Sequence, residues 1–200
     1  MVDVAVVGVG KVGASLAGAW HRAGLDVALS ARELDSSTVI SLAASFGLRR
    51  LSVADALWTA RAVVLADPLD DVATLFASVV PHAPAVIIDA SSGSSPISSV
   101  TALRAHVGGS AVYRAFNTLG WSDYVDPTYG AEVPDMFYAG PDDDGRDTVE
   151  GLIGSLGLRP IYAGGYEQIE LIDALAALRT AVAAHRPGLD LAVKLLERRN

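Results

Sequence analysis

The sequence predicts an α/β protein built on a doubly wound, mostly parallel sheet, with a small C-terminal α/β extension. Three observations carry this. Short apolar runs of strand length alternate with longer segments of helical period, the pattern of a parallel sheet covered by helices on both faces. The runs are continuous rather than alternating in polarity, as Ala62–Ala66 shows, so both faces of the strands are to be buried. The first run, Val2–Val7, passes straight into Gly8-Val9-Gly10-Lys11-Val12-Gly13, after which a proline-free helical pattern begins.

Taken in order, strands are expected at Val2–Val7, Asp26–Ala31, Ala62–Ala66, Ala85–Asp89, Ala111–Ala115, Met136–Ala139 and Arg159–Ala163, with a very short one at Arg49–Leu51. Helices fit Lys11–Ala23, Ser36–Phe46, Val53–Thr59, Asp70–Val80, Ile97–His106, Asp143–Leu156 and Glu167–Ala184. Residues 1–116 make the first unit; residues 117–200 are expected to complete the sheet, shape a second pocket and carry a dimer contact.

The glycines after the first strand have separable roles. Gly8 permits a tight turn, Gly10 leaves room for a ligand against the backbone, and Gly13 lets helix and strand pack closely. Unpaired N–H groups at the helix start, with the positive end of its dipole, favour an anion. Gly8, Val9, Gly10, Lys11, Val12 and Gly13 therefore read as a cradle for a dinucleotide diphosphate, and the fold as a Rossmann fold. A glycine-rich turn that binds nothing is the plain alternative.

The end of the second strand selects the dinucleotide. NAD-binding proteins place an acidic side chain there to accept from the ribose 2′-hydroxyl; this chain reads Ser30-Ala31-Arg32-Glu33. A guanidinium clasps a 2′-phosphate with paired charged hydrogen bonds, so Ser30, Ala31 and Arg32 point to NADP. Glu33 would restore an acid after a one-residue shift. Ala66 and Pro68, after the third long strand, are expected to line the cofactor on the same edge.

Bulk properties exclude other classes. With 200 residues, 51% of them hydrophobic, and a mean hydropathy of +0.36, the chain can bury a substantial core as one domain with a small appendage. No apolar run reaches the roughly 18–20 residues of a membrane helix. The first strand begins without a signal-peptide pattern. Absence of cysteine removes disulfides and thiolate sites and fits a cytoplasmic protein. Net charge −8 argues against nucleic acid and anionic membranes. His21, His82, His106 and His185 lack ligand spacing, so no metal site is expected.

Two loops stand out. The serine-rich stretch from Ser91 to Ser99 follows a strand end, and either hydrogen-bonds a nicotinamide or is a plain turn. Residues Asn117–Pro134 form the longest irregular stretch, with Trp121, Tyr124 and Tyr129 arguing for order. Asp142, Asp143 and Asp144 suit a helix N-terminus. In the last helix Leu171, Leu175, Leu178 and Val182 form one apolar stripe and Ile169, Ile172 and Ala176 a second. That face is wider than one sheet contact needs, and a homodimer is expected.

Three segments together resemble the coenzyme F-420-dependent NADP oxidoreductase family. They are Gly8–Gly13 with Arg32; Tyr113-Arg114-Ala115-Phe116-Asn117-Thr118; and the tail, which runs Asp135-Met136-Phe137-Tyr138-Ala139-Gly140, Gly157-Leu158-Arg159-Pro160, Ala163-Gly164 and Ala192-Val193-Lys194-Leu195-Leu196. The resemblance implies a cytoplasmic, often dimeric enzyme that transfers hydride between NADPH and a second redox cofactor, coenzyme F-420 (a deazaflavin) or a flavin. Such chemistry asks the protein for stacking and orientation more than for acid–base groups. It implies an acceptor pocket shaped by Ser91, Asn117, Thr118 and Leu119; Asn117 pinning only its own loop is the other reading. The chain departs from the family pattern at Asn117, where histidine is usual, and in the polar loop from Asp89 to Ser95. Asp67, Asp70 and Asp71 disfavour polyanionic F-420 if they face the cleft, whereas Asp67 before Pro68 suits a helix cap. A non-catalytic NADP-sensing module fits the same residues. So does a small NADPH-dependent imine or carbonyl reductase, with Tyr124 or Tyr129 as its proton donor.

Overall fold

The computed structural model describes residues 1–67, 86–91 and 96–198, the side chains of 96–99 excepted. The expected helix at 70–80, together with Pro68, Asp70, Asp71, His82 and the serines at 92, 94 and 95, lies outside the described residues. Strand β1 (Val2–Val7), helix α1 (Lys11–Arg22), β2 (Val27–Ser30), α2 (Ser37–Phe46), β3 (Arg49–Leu51), α3 (Val53–Thr59), β4 (Ala60–Leu65), β5 (Val86–Asp89), α4 (Pro96–His106) and β6 (Val112–Arg114) follow in sequence. The six strands lie in the order β3-β2-β1-β4-β5-β6, and every pairing is parallel. The predicted doubly wound α/β fold is what forms, and its strand order reverses between β1 and β4, where such sheets bind ligands.

Burial explains the continuous apolar strands. In β1, Val4 and Val6 join the core of Leu16, Trp20 and Leu29. Ala5 and Val7 join the opposite core with Leu57, Val63 and Ile87. Successive side chains thus fill opposite layers. Local signals set the helix starts: Ser36 accepts the Val39 N–H at 3.4 Å, and Ser52 accepts that of Asp55 at 3.0 Å, each an N-cap. Helix α1 has no side-chain cap.

Beyond β6 come β7 (Asp135–Tyr138), α5 (Gly145–Ser155), β8 (Arg159–Tyr162) and α6 (Ile169–Ala184). Strands β7 and β8 form a separate parallel pair, linked to the main sheet by an antiparallel bridge between Arg114 and Ala139. Asp135, fully buried, anchors this part: Arg159 grips both its oxygens, at 2.7 and 2.8 Å, and the Leu195 N–H donates to it at 2.7 Å. The C-terminal segment is also held by the Asp135 N–H, which donates to the Val193 carbonyl at 3.2 Å.

Expected bounds shift at several ends. The run 117–134 contains a 3₁₀ turn at Trp121–Tyr124. The last helix begins at Ile169 rather than Glu167, after a 3₁₀ turn at Tyr166–Gln168. In α6, Ile169 and Ile172 are buried, whereas Leu171, Leu178 and Val182 are exposed, so the two predicted stripes part company. Among the described residues no helix is long and apolar enough to cross a membrane, and no group of three His, Cys, Asp or Glu could hold a metal ion.

Candidate dinucleotide site and acceptor cleft

The pairing of β1 with β4 builds the first half of the site. Val7 is level with Leu65, and the Ala66 N–H donates to the Val7 carbonyl at 2.8 Å. The chain leaving β4 therefore lies beside the chain leaving β1. Gly8 turns with a φ of 110°, open to glycine and strained for other residues. Gly13 packs so tightly that a Cβ there would lie 2.1 Å from the Gly8 carbonyl oxygen. Gly10 is the extended residue that starts α1. Close backbone approach, an uncapped helix start and no Cβ at three positions fit a diphosphate.

Asp67 adds a feature that the spacing did not reveal. Its carboxylate accepts the Gly10 N–H, and burial, the larger influence, raises its pKa above the ordinary carboxylate value while that hydrogen bond opposes the rise. The carboxylate thus faces the glycine loop, and the helix it was expected to cap lies outside the described residues. Lys11, the cation of the loop, sits with Nζ 5.7 Å above the centre of the Trp121 ring.

At the end of β2 the expected trio divides. Ser30 is fully buried and its Oγ has no hydrogen-bond partner among the described residues. A 2′-phosphate would reach it only if its neighbours part. Ala31 is partly exposed, and Arg32 and Glu33 are exposed side by side. Arg32 makes no ion pair with a described residue. Ala66 is buried.

The carboxyl ends of β5 and β6 carry a buried charged cluster. Arg114, 2% exposed, lies between Asp89 and Asp173. Its Nε donates to Asp173 Oδ1 at 3.0 Å and its Nη1 to the Asp89 carbonyl at 3.1 Å. Asp89 Oδ1 also accepts from the Ser91 hydroxyl at 2.6 Å. Asn117 Nδ2 donates to Asp173 Oδ1 at 2.7 Å, leaving Asn117 Oδ1 and Asp173 Oδ2 buried without partners among the described residues. Burial lifts the Asp173 carboxyl above the ordinary value, with Arg114 opposing.

Of the expected acceptor-pocket residues, Asn117 alone is partly exposed; Ser91, Thr118 and Leu119 are buried. The Thr118 hydroxyl donates to Met136 Sδ at 3.6 Å, and Leu119 packs into the core. All three are packed in the interior. Just before Thr118 and Leu119, Phe116 holds a φ of 60°. Its ring enters the core edge-on to Trp20, centroids 5.3 Å apart.

The two tyrosines weighed as proton donors are engaged elsewhere. Tyr124 is buried and donates to the Phe116 carbonyl at 2.7 Å; Tyr129 donates to Asp123 at 2.5 Å. Burial pushes both phenols well above their usual range. An open cavity of about 480 Å³ lies in this long loop, lined among others by Trp121, Asp123, Tyr129 and Asp190.

Residues 3–93, from β1 to just past β5, match the family model for NADP oxidoreductase, coenzyme F420-dependent. The resemblance read from the sequence is borne out. Among solved structures, a hypothetical protein from Sinorhizobium meliloti shares 27% identity at a TM-score of 0.73, over 84% of this chain and 87% of that one. A protein provisionally named as an F420-dependent NADP reductase, from Arthrobacter sp. FB24, shares 19% identity at a TM-score of 0.78, over 98% of this chain and 100% of its own. A reductive aminase from Aspergillus terreus, solved with NADPH and ethyl levulinate, shares 15% identity at a TM-score of 0.70; the match covers 93% of this chain and 63% of the aminase. The last two likenesses establish the fold. No curated protein sequence matches the chain. The matched family and the reductive aminase both use NADP(H), as their names and contents state.

Proposed function

We propose that the protein is an NADP(H)-dependent oxidoreductase that passes hydride between NADPH and a second redox cofactor, a deazaflavin or a flavin. One observation carries the reading: the glycine loop lies at the switch point of the sheet with a basic side chain, Arg32, at the neighbouring strand end. The match over residues 3–93 covers that same segment. NADPH, when bound, supplies the hydride. The chain would hold its diphosphate with the N–H groups of the loop from Gly8 to Gly13 and its 2′-phosphate with Arg32, and Asn117 would orient the acceptor at the β6 end. Work in the cytoplasm as a homodimer, through the exposed Leu171, Leu178 and Val182, belongs to the same proposal.

Titration with NADPH and NADH, followed by tryptophan fluorescence, tests this, since Trp121 stands over Lys11. NADPH is expected to bind at least about tenfold tighter, a difference of about 1.4 kcal/mol, and Arg32→Ala is expected to erase the preference. Failure of both nucleotides to bind at micromolar concentration overturns the reading. Tight binding without turnover on deazaflavin or flavin leaves the sensing module.

A second reading, direct reduction of an imine, gains from Asp173. Its carboxyl combines a raised pKa with a place beside Asn117 at the nicotinamide edge of the sheet. It could give a proton to the substrate nitrogen as the carbon is reduced. The rate on an imine would then fall as pH rises through the Asp173 titration, and Asp173→Asn would remove that limb. An unchanged pH profile in the variant rejects Asp173 as the acid.

A further inference from the structure

We propose that Asp67 is an internal anion at the diphosphate position of the glycine loop, so that a dinucleotide binds by displacing it. This rests on the reading of Gly8–Gly13 as a diphosphate cradle and names a residue that sets how strongly the cradle binds.

Position comes first. Val7 and Leu65 are level in adjacent parallel strands, so the second residue past β4 falls over the first residues past β1. The contact is close: a Cβ on Gly8 would lie 2.5 Å from Asp67 Cγ and 2.6 Å from its Oδ1, and one on Gly10 would lie 3.5 Å from the same oxygen. Glycine at both positions leaves a space, and the carboxylate occupies it. Chemistry comes second. The Gly10 N–H, a donor that a phosphate oxygen would take, is given to Asp67. A carboxylate on backbone N–H groups at a helix start reproduces the interaction that a phosphate makes there.

The charges around it are arranged consistently. Lys11 is the cation nearest in sequence to the loop, and it lies over Trp121. Asp67 makes no ion pair with a described residue. A diphosphate entering the cradle therefore meets one unneutralised negative charge and must take a hydrogen bond already made. Both effects weaken binding, and both act on the diphosphate rather than on the 2′-phosphate held at the β2 end.

The test compares wild type with Asp67→Asn and Asp67→Ala, using two probes. NADPH carries the diphosphate; 2′-AMP carries the 2′-phosphate without it. Circular dichroism confirms that each variant is folded, and the isosteric Asn variant keeps the informative arm if Ala does not fold. NADPH is expected to bind about tenfold tighter to Asp67→Ala and severalfold tighter to Asp67→Asn, a gain of about 1.4 kcal/mol for the tenfold case, while 2′-AMP affinity stays within twofold. Inorganic pyrophosphate should compete with NADPH more strongly in the variants. Unchanged or weaker NADPH binding in both variants overturns the proposal, weaker binding marking Asp67 as a direct partner of the nucleotide. Absence of binding by NADPH and 2′-AMP to wild type and variants alike overturns the NADP reading, and this proposal with it. Retained 2′-AMP binding with no response at residue 67 overturns this proposal alone.

Discussion

Arg114→Ala is expected to lower stability by about 4 kcal/mol, the cost of breaking a buried ion pair from one side. The guanidinium is 2% exposed and separates Asp89, fully buried, from Asp173. Without it two carboxylates face each other across a space from which water is largely excluded. The melting temperature should fall by about 10 °C for a chain of this length. Lysine at the same place restores charge but not the fork that reaches both partners, so it should recover only part of the loss. Asp89→Asn with Asp173→Asn, added to Arg114→Ala, should recover more, because neutral amides need no counter-charge. Thermal melts followed by circular dichroism distinguish these cases. A shift of under 2 °C for Arg114→Ala would show that the cluster relaxes or hydrates.

Gly13→Ala is expected to abolish nucleotide binding, with at least about a hundredfold loss of NADPH affinity, or about 2.7 kcal/mol. The added methyl would sit 2.1 Å from the Gly8 carbonyl oxygen and 3.2 Å from Ala66 Cβ. Neither neighbour is the end of a flexible side chain, so α1 must move away from the turn. That movement displaces the N–H groups from the place where the diphosphate would lie. Gly151→Ala is the matched control: it lies within α5 and a Cβ there meets nothing within 4 Å. Alanine should stabilise that helix by about 0.5–1 kcal/mol. Equal NADPH affinity in wild type and Gly13→Ala would remove the glycine loop from the binding site.

Much of the fold was legible because its signals are local. The short strand Arg49–Leu51 and helix Val53–Thr59 have the expected bounds, for Ser52 caps the helix. The glycines reveal a turn because positive φ and close approach exclude other residues. The candidate site is legible only in part. Asp67 reads as a helix cap from its place before Pro68, yet its carboxylate lies against Gly10, a contact that depends on β4 pairing with β1. Arg114 and Asp173 are 59 residues apart, and no periodicity links them. Thr118 and Leu119 read as pocket residues because they follow Asn117, and their burial against Met136 and the core depends on contacts distant in sequence. Ser30 reads as a phosphate partner because it precedes Arg32, but it is the last residue of a strand buried on both faces.

Phe116 joins two regions that would otherwise respond independently. Its ring is wedged against Trp20 and Tyr124, its carbonyl receives the Tyr124 hydroxyl, and the next peptide carries Asn117 to Asp173. A left-handed backbone on a non-glycine residue tolerates little rotation. Any repacking beneath Trp20 is therefore passed through a single stiff peptide to the Asn117 amide. On the proposed reading, selectivity for an acceptor beside Asn117 would in this sense be tuned from the interior, by residues that no acceptor would touch.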